Sequence, residues 1–94
     1  MTTRSFDAAN YLETEEDVLA FLDAAWEGGD PAHIANALGV VARSKGMSEI
    51  AKRTGVQRQA LYQALSETGN PTLSTLTAVL DALGLKIRIE RKAA

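Results

Sequence analysis

Between residues 47 and 66, the spacing of small, apolar and helix-stopping residues leaves the chain little choice of local structure. Ser48 is placed to cap a short helix that buries Ile50 and Ala51, and Gly55 supplies the left-handed residue that ends it. Val56 then plugs the corner before a second helix, expected from residue 57 to about 66. That helix turns Leu61 and Leu65 inward and leaves Gln57, Arg58, Gln59, Tyr62 and Gln63 facing out. Small Ala51 lets the two helices cross closely. The Ala-x3-Gly-Val-x4-Leu spacing of Ala51, Gly55, Val56 and Leu61 is that of a helix-turn-helix, a motif that lays its second helix against DNA base edges. Any two short amphipathic helices joined at glycine would bury Ile, Val and Leu similarly, so the outward chemistry and the charge must decide between DNA reading and a plain hairpin.

The flanking segments carry their own start and stop signals. Thr14 followed by Glu15, Glu16 and Asp17 is a capping-box pattern, with negative charge in the first turn where the helix dipole favours it. Val18, Leu19, Phe21, Leu22, Ala25 and Trp26 supply an apolar face, and Gly28-Gly29 stops the helix. Asp30-Pro31 restarts the chain as a cap plus first helical residue, and the next helix, to about residue 44, buries Ile34, Leu38, Val41 and Ala42 before Lys45-Gly46. Beyond the 47–66 stretch, Glu67-Thr68-Gly69-Asn70-Pro71 is a turn cluster. Thr72 can cap a helix in which Leu73, Leu76, Val79, Leu80 and Leu83 form one stripe, ended by Gly84. Residues 85–91 alternate Leu85, Ile87 and Ile89 against Lys86, Arg88 and Glu90, which is strand periodicity. A lone strand cannot satisfy its own backbone. Its partner is either residues 4–6 or a second copy of itself, and the second arrangement, favoured here, makes a two-fold dimer through Leu85, Ile87 and Ile89.

At 94 residues and 46% hydrophobic the chain is expected to form one domain with a thin core, in three parts: an acidic segment at 1–29, a helical core at 30–84 and the strand at 85–91. The formal net charge of -2 hides a division. Residues 1–30 carry eight acids against Arg4 alone, whereas residues 31–94 carry nine Lys and Arg against four acids. Arg43, Lys45, Lys52, Arg53 and Arg58 cluster around the 47–66 stretch, where they could neutralise phosphates; singly, Lys45 or Lys52 could equally be a solvated surface residue.

Catalytic chemistry is not expected. There is no Cys, hence no disulfide or thiolate metal site, and His33 is the single histidine, placed near a helix start as a surface residue. No phosphate-binding glycine loop or nucleophile elbow occurs, and Glu13, Glu16 and Asp17 are explained by capping and dipole complementarity. Phe6, Phe21 and Trp26 lack interleaved basic residues and so read as core or interface aromatics. No leader-like start and no membrane span is legible, which makes a cytoplasmic protein without cofactor or metal the expectation.

Several segments, in order and over nearly the whole chain, carry a resemblance. They are Phe6-Asp7-Ala8-Ala9-x-Tyr11-Leu12, Gly29-Asp30-Pro31, Ala37-Leu38-Gly39-x-x-Ala42-Arg43-x-x-Gly46-Met47-Ser48, Leu61-Tyr62-x-Ala64-Leu65-Ser66 with Gly69-Asn70-Pro71, and Ala82-Leu83-Gly84-Leu85. Together they resemble the probable addiction-module antidote proteins, antitoxins of type II toxin-antitoxin pairs with a phage-repressor-like helix-turn-helix. The resemblance implies a mainly α fold, a five-helix domain with the short C-terminal strand, paired in a dimer. It implies two tasks: binding and blocking a small toxin of the RelE/ParE superfamily, and repressing the operon through double-stranded operator DNA. Related proteins often carry Ser where this chain has Gln57; Gln caps poorly, so Gln57 is expected to point at DNA instead. Arg58, Gln57, Gln59, Tyr62 and Gln63 suit the major groove, Ser48 with the first N–H groups of its helix suits a phosphate, and Lys52 and Arg53 suit the backbone charge. The acidic first third suits a basic toxin surface. A stand-alone phage-type repressor without a toxin is the alternative; an interaction module that has lost DNA binding is a third.

Overall fold

Capping groups a few residues apart set the helix boundaries. The computed structural model describes residues 12–93, which form α1 (Glu15–Gly28), α2 (Pro31–Lys45), α3 (Met47–Thr54), α4 (Arg58–Ala64) and α5 (Leu73–Ala82). At α1 the capping box is complete: the Thr14 hydroxyl accepts from the Asp17 backbone N–H at 3.1 Å, and the Asp17 carboxylate accepts from the Thr14 N–H at 3.1 Å. Gly29 ends the helix in the left-handed region. Asp30 caps α2 through the Ala32 N–H at 3.1 Å, with Pro31 at the first helical position as expected. Thr72 caps α5 by accepting from the Thr75 N–H at 3.2 Å.

The start of α3 departs from expectation. Its cap is Gly46, not Ser48, and no side chain caps it. Gly46 has φ 103° and ψ 105°, a backbone open in practice to glycine, and this sharp corner places α3 directly after α2 with Met47 buried at its first position. Ser48 therefore lies inside the first turn, exposed.

Helix α1 packs chiefly on α2, α3 packs on α2, α4 and α5, and α4 also rests on α2. One cluster of buried residues joins Leu12, α1 (Val18, Leu22, Ala25), α2 (Leu38, Val41), Ile50 of α3, Leu61 of α4 with Leu65 just beyond it, and α5 (Val79, Leu80). Every buried side chain among the described residues is apolar, so burial here is not offset by any desolvated polar group. Gly39 is the contact point of α2 with the end of α4: a Cβ there would collide with the Leu65 carbonyl oxygen. Two expected core positions are on the surface instead, Leu19 at 50% and Leu73 at 72% exposure. Leu73 is the first residue of α5.

The expected strand at 85–91 is absent; the described residues contain no strand. Helix α5 closes with a Schellman arrangement, in which the Gly84 N–H donates to the Asp81 carbonyl at 3.0 Å and the Leu85 N–H to the Leu80 carbonyl at 2.8 Å. This holds Leu85 half-buried, but no backbone hydrogen bond ties residues 86–93 to the rest of the described chain. A strand is defined by its partner, and none lies beside this segment among the described residues. The alternative partner at residues 4–6 lies outside the described residues, as does Phe6. No described helix is long and apolar enough to cross a membrane.

Candidate nucleic-acid interface

The α3–α4 corner is fixed by three bonds. The Gly55 N–H donates to the Ala51 carbonyl at 2.9 Å, the Val56 N–H to the Thr54 hydroxyl at 3.2 Å, and the Leu61 N–H to the Gln57 carbonyl at 3.0 Å. Gly55 adopts φ 76° and ψ 6°, as its position requires, and half-buried Val56 packs on the core. Gln57 is the backbone cap of α4, and its side chain makes no capping bond. Leu61 and Leu65 are fully buried, so the opposite side of α4 must face solvent.

That side is what was expected of it. Gln57, Arg58, Gln59 and Gln63 are exposed, and Tyr62 is 44% exposed. The side chains of Gln57, Gln59, Tyr62 and Gln63 donate to and accept from no other described residue. Arg58 differs: its Nη1 donates to the Ser48 hydroxyl at 3.0 Å, linking the start of α4 to the first turn of α3. These residues are ten apart with no local pattern connecting them, so only the helix crossing brings them together. The structure thus brings Ser48 and Arg58 together on one exposed edge.

Arg53 is exposed but engaged, its Nε donating to Glu49 at 3.0 Å one turn earlier in α3. The Glu49–Arg53 spacing of four is that of a helix pair, and it engages the guanidinium for which the sequence suggests a phosphate. Arg43, Lys45, Lys52 and Arg58 are exposed and form no ion pair with another described residue. A run of unpaired cations beside a neutral polar helix face can attract a polyanion and still discriminate between its bases. His33 is exposed, and among the described residues no group of His, Asp or Glu is placed to hold a metal ion. Of the residues assigned to dimerisation, Leu85 is half-buried, Ile87 is 47% exposed and Ile89 is 96% exposed.

Comparison with known proteins defines the class. The chain belongs to the family described as probable addiction module antidote protein, whose model matches residues 2–91. It is similar to an uncharacterized protein of Haemophilus influenzae, 39% identical over 88 residues that cover 94% of this chain and 91% of that one. No solved structure matches it. The family description gives its members the antidote part of an addiction module, and so a toxin as counterpart.

Proposed function

We propose that this chain is the antitoxin of a type II toxin-antitoxin module, acting as a single domain in the cytoplasm without catalysis or cofactor. It neutralises a small toxin of the RelE/ParE superfamily by direct binding, and as a homodimer it represses its own operon through sequence-specific contacts to double-stranded operator DNA. In this reading α3 and α4 are the helix-turn-helix and α4 enters the major groove. Arg58 pairs with guanine, Gln57, Gln59 and Gln63 offer the amide pair that suits adenine, and Tyr62 packs against the groove wall. Ser48, the N–H groups of the first turn of α3, Lys52 and Arg53 hold phosphates and set the register.

The observation that carries the reading is the exposed α4 face. Its Gln57, Gln59, Tyr62 and Gln63 side chains have no hydrogen-bond partner among the described residues, and Arg58 bonds only to Ser48, on a chain belonging to an antidote family. Buried polar groups need partners and exposed charged ones are often idle, but a row of neutral amides around a lone Arg has the chemistry of base readout. The acids of the first third supply the charge that would steer a basic toxin into place.

Co-expression with the product of the adjacent short gene tests the partner. Expected are co-purification and relief of growth arrest caused by that product. Gel shifts on the DNA upstream of the operon, at two salt concentrations, test the second task, with affinity expected to fall steeply as salt rises. Operator binding without a co-purifying partner points to the stand-alone repressor. A co-purifying partner without any operator binding points to the interaction module.

A further inference from the structure

The two arginines of α3 and α4 are held by different kinds of group. Arg53 lies on the Glu49 carboxylate, which offsets its charge and competes with any other acceptor. Arg58, the first residue of α4, lies on a hydroxyl: its Nη1 donates to the Ser48 Oγ at 3.0 Å, and no carboxylate among the described residues pairs with it. A neutral acceptor fixes a guanidinium without removing its charge. The bond takes one of five guanidinium N–H groups, and the four that remain suffice for a bidentate contact. Both ends of the bond are anchored, since buried Ile50 holds α3 and fully buried Leu61 holds α4.

The hydroxyl also has capacity left. A serine oxygen offers one O–H donor and two lone pairs. In Ser48 one lone pair serves Arg58, and the O–H donates to no described residue. Ser48 stands exposed in the first turn of α3, a helix with no side-chain cap, so the free O–H lies at the positive end of the helix. One oxygen is thus able to donate outward to an anion while it accepts from Arg58. Each of these bonds polarises the hydroxyl in the sense that strengthens the other.

We infer that Ser48 is a positioning residue for base reading: its hydroxyl accepts from Arg58, donates to a backbone phosphate of the duplex, and so couples the contact that sets register to the contact that reads sequence. The inference rests on the DNA reading proposed above and deepens it, because there the two residues act separately. A free arginine side chain loses much rotamer freedom on binding, and a guanidinium held beforehand loses less. On a duplex with the matching base in register, Ser48 is engaged from both sides and Arg58 meets its acceptors without moving. On a duplex with another base there, the guanidinium must leave Ser48 to find an acceptor, and the coupling is lost. Ser48 therefore contributes to discrimination as well as to affinity, although its own contact is to phosphate.

Two measurements on the full chain test this, with circular dichroism to show that helix content is unchanged in each variant. In the free protein, NMR relaxation of the Arg58 side-chain nitrogen is expected to report an ordered Nε that becomes mobile in Ser48→Ala and is ordered again in Ser48→Thr, which keeps a hydroxyl. In competition gel shifts, Ser48→Ala is expected to lower affinity for operator by about two- to tenfold more than affinity for a random duplex. In an Arg58→Ala background the same substitution should weaken both duplexes equally, because only the phosphate bond remains to be lost. Equal loss on both duplexes in the wild-type background, additive with Arg58→Ala, makes Ser48 a phosphate contact alone and overturns the inference. An Arg58 side chain equally mobile with and without the hydroxyl overturns it too. A wild type that binds both duplexes alike defeats the DNA reading itself, and the inference falls with it. A wild type that prefers operator, with Ser48→Ala discriminating equally well, defeats the inference alone.

Discussion

Helix α1 and the α3–α4 pair share a core but carry different kinds of surface. On α1 part of the charge has a structural use: Asp17 completes the capping box, and Glu15 and Glu16 sit in the first turn where the helix dipole favours them. On α4 only Arg58 has such a use, through Ser48; Gln57 does not cap, and Gln59, Tyr62 and Gln63 bond to no described side chain. The packing differs as well. Helix α1 leans chiefly on α2, whereas α3 is surrounded by α2, α4 and α5. A charged residue explained by its own helix says little about partners, and an unpaired polar row on a well-anchored helix says more.

The comparison is broken or sharpened first by core truncation. Leu61→Ala and Leu22→Ala remove the same atoms from α4 and α1, and each should cost about 2–5 kcal/mol of unfolding free energy in denaturant titrations. The loss should be larger at Leu61, fully buried in the middle of the helices, than at Leu22 beside an open groove. Equal losses would make α1 as integral as α4. Next, Gly39→Ala drives a methyl group into the Leu65 carbonyl oxygen and should destabilise by about 1–3 kcal/mol, seen as a lower Tm. A neutral result would show that α4 can shift on α2 without penalty.

At the surface, Arg58→Ala should cost about 1–3 kcal/mol of operator affinity and relax sequence preference, whereas Lys52→Ala should weaken specific and non-specific DNA alike. Competition gel shifts with operator and random duplexes separate the two. Equal loss on both duplexes with Arg58→Ala would remove it from base reading. The smallest effect belongs to Glu49→Gln, which frees Arg53: stability should fall by no more than about 0.5 kcal/mol, while non-specific DNA affinity rises. An unchanged affinity would show that Arg53 does not reach phosphate.

Much of the architecture was legible without coordinates because helix ends are set by groups within four residues of each other. The Thr14–Asp17 box, Asp30-Pro31, Gly29, Gly55 and Thr72 all act at that range, and the starts of α1, α2 and α5 and the ends of α1 and α3 fall where these signals put them. The inward turn of Leu61 and Leu65 followed from helical spacing alone, and with it the outward set on α4. Ser48 was misread as a cap because Gly46 can turn a corner no other residue takes easily, and cap preferences do not register such a corner.

What tertiary structure alone decided involves residues far apart in the chain. The Arg58–Ser48 bond, the closeness of Gly39 to Leu65, and the exposure of Leu19 and Leu73 depend on how helices cross, and no local pattern encodes a crossing. Residues 85–91 show the limit most plainly. Their alternation was read correctly as a pattern and wrongly as a strand, because side-chain periodicity is a property of one segment and a β-ladder is a property of two.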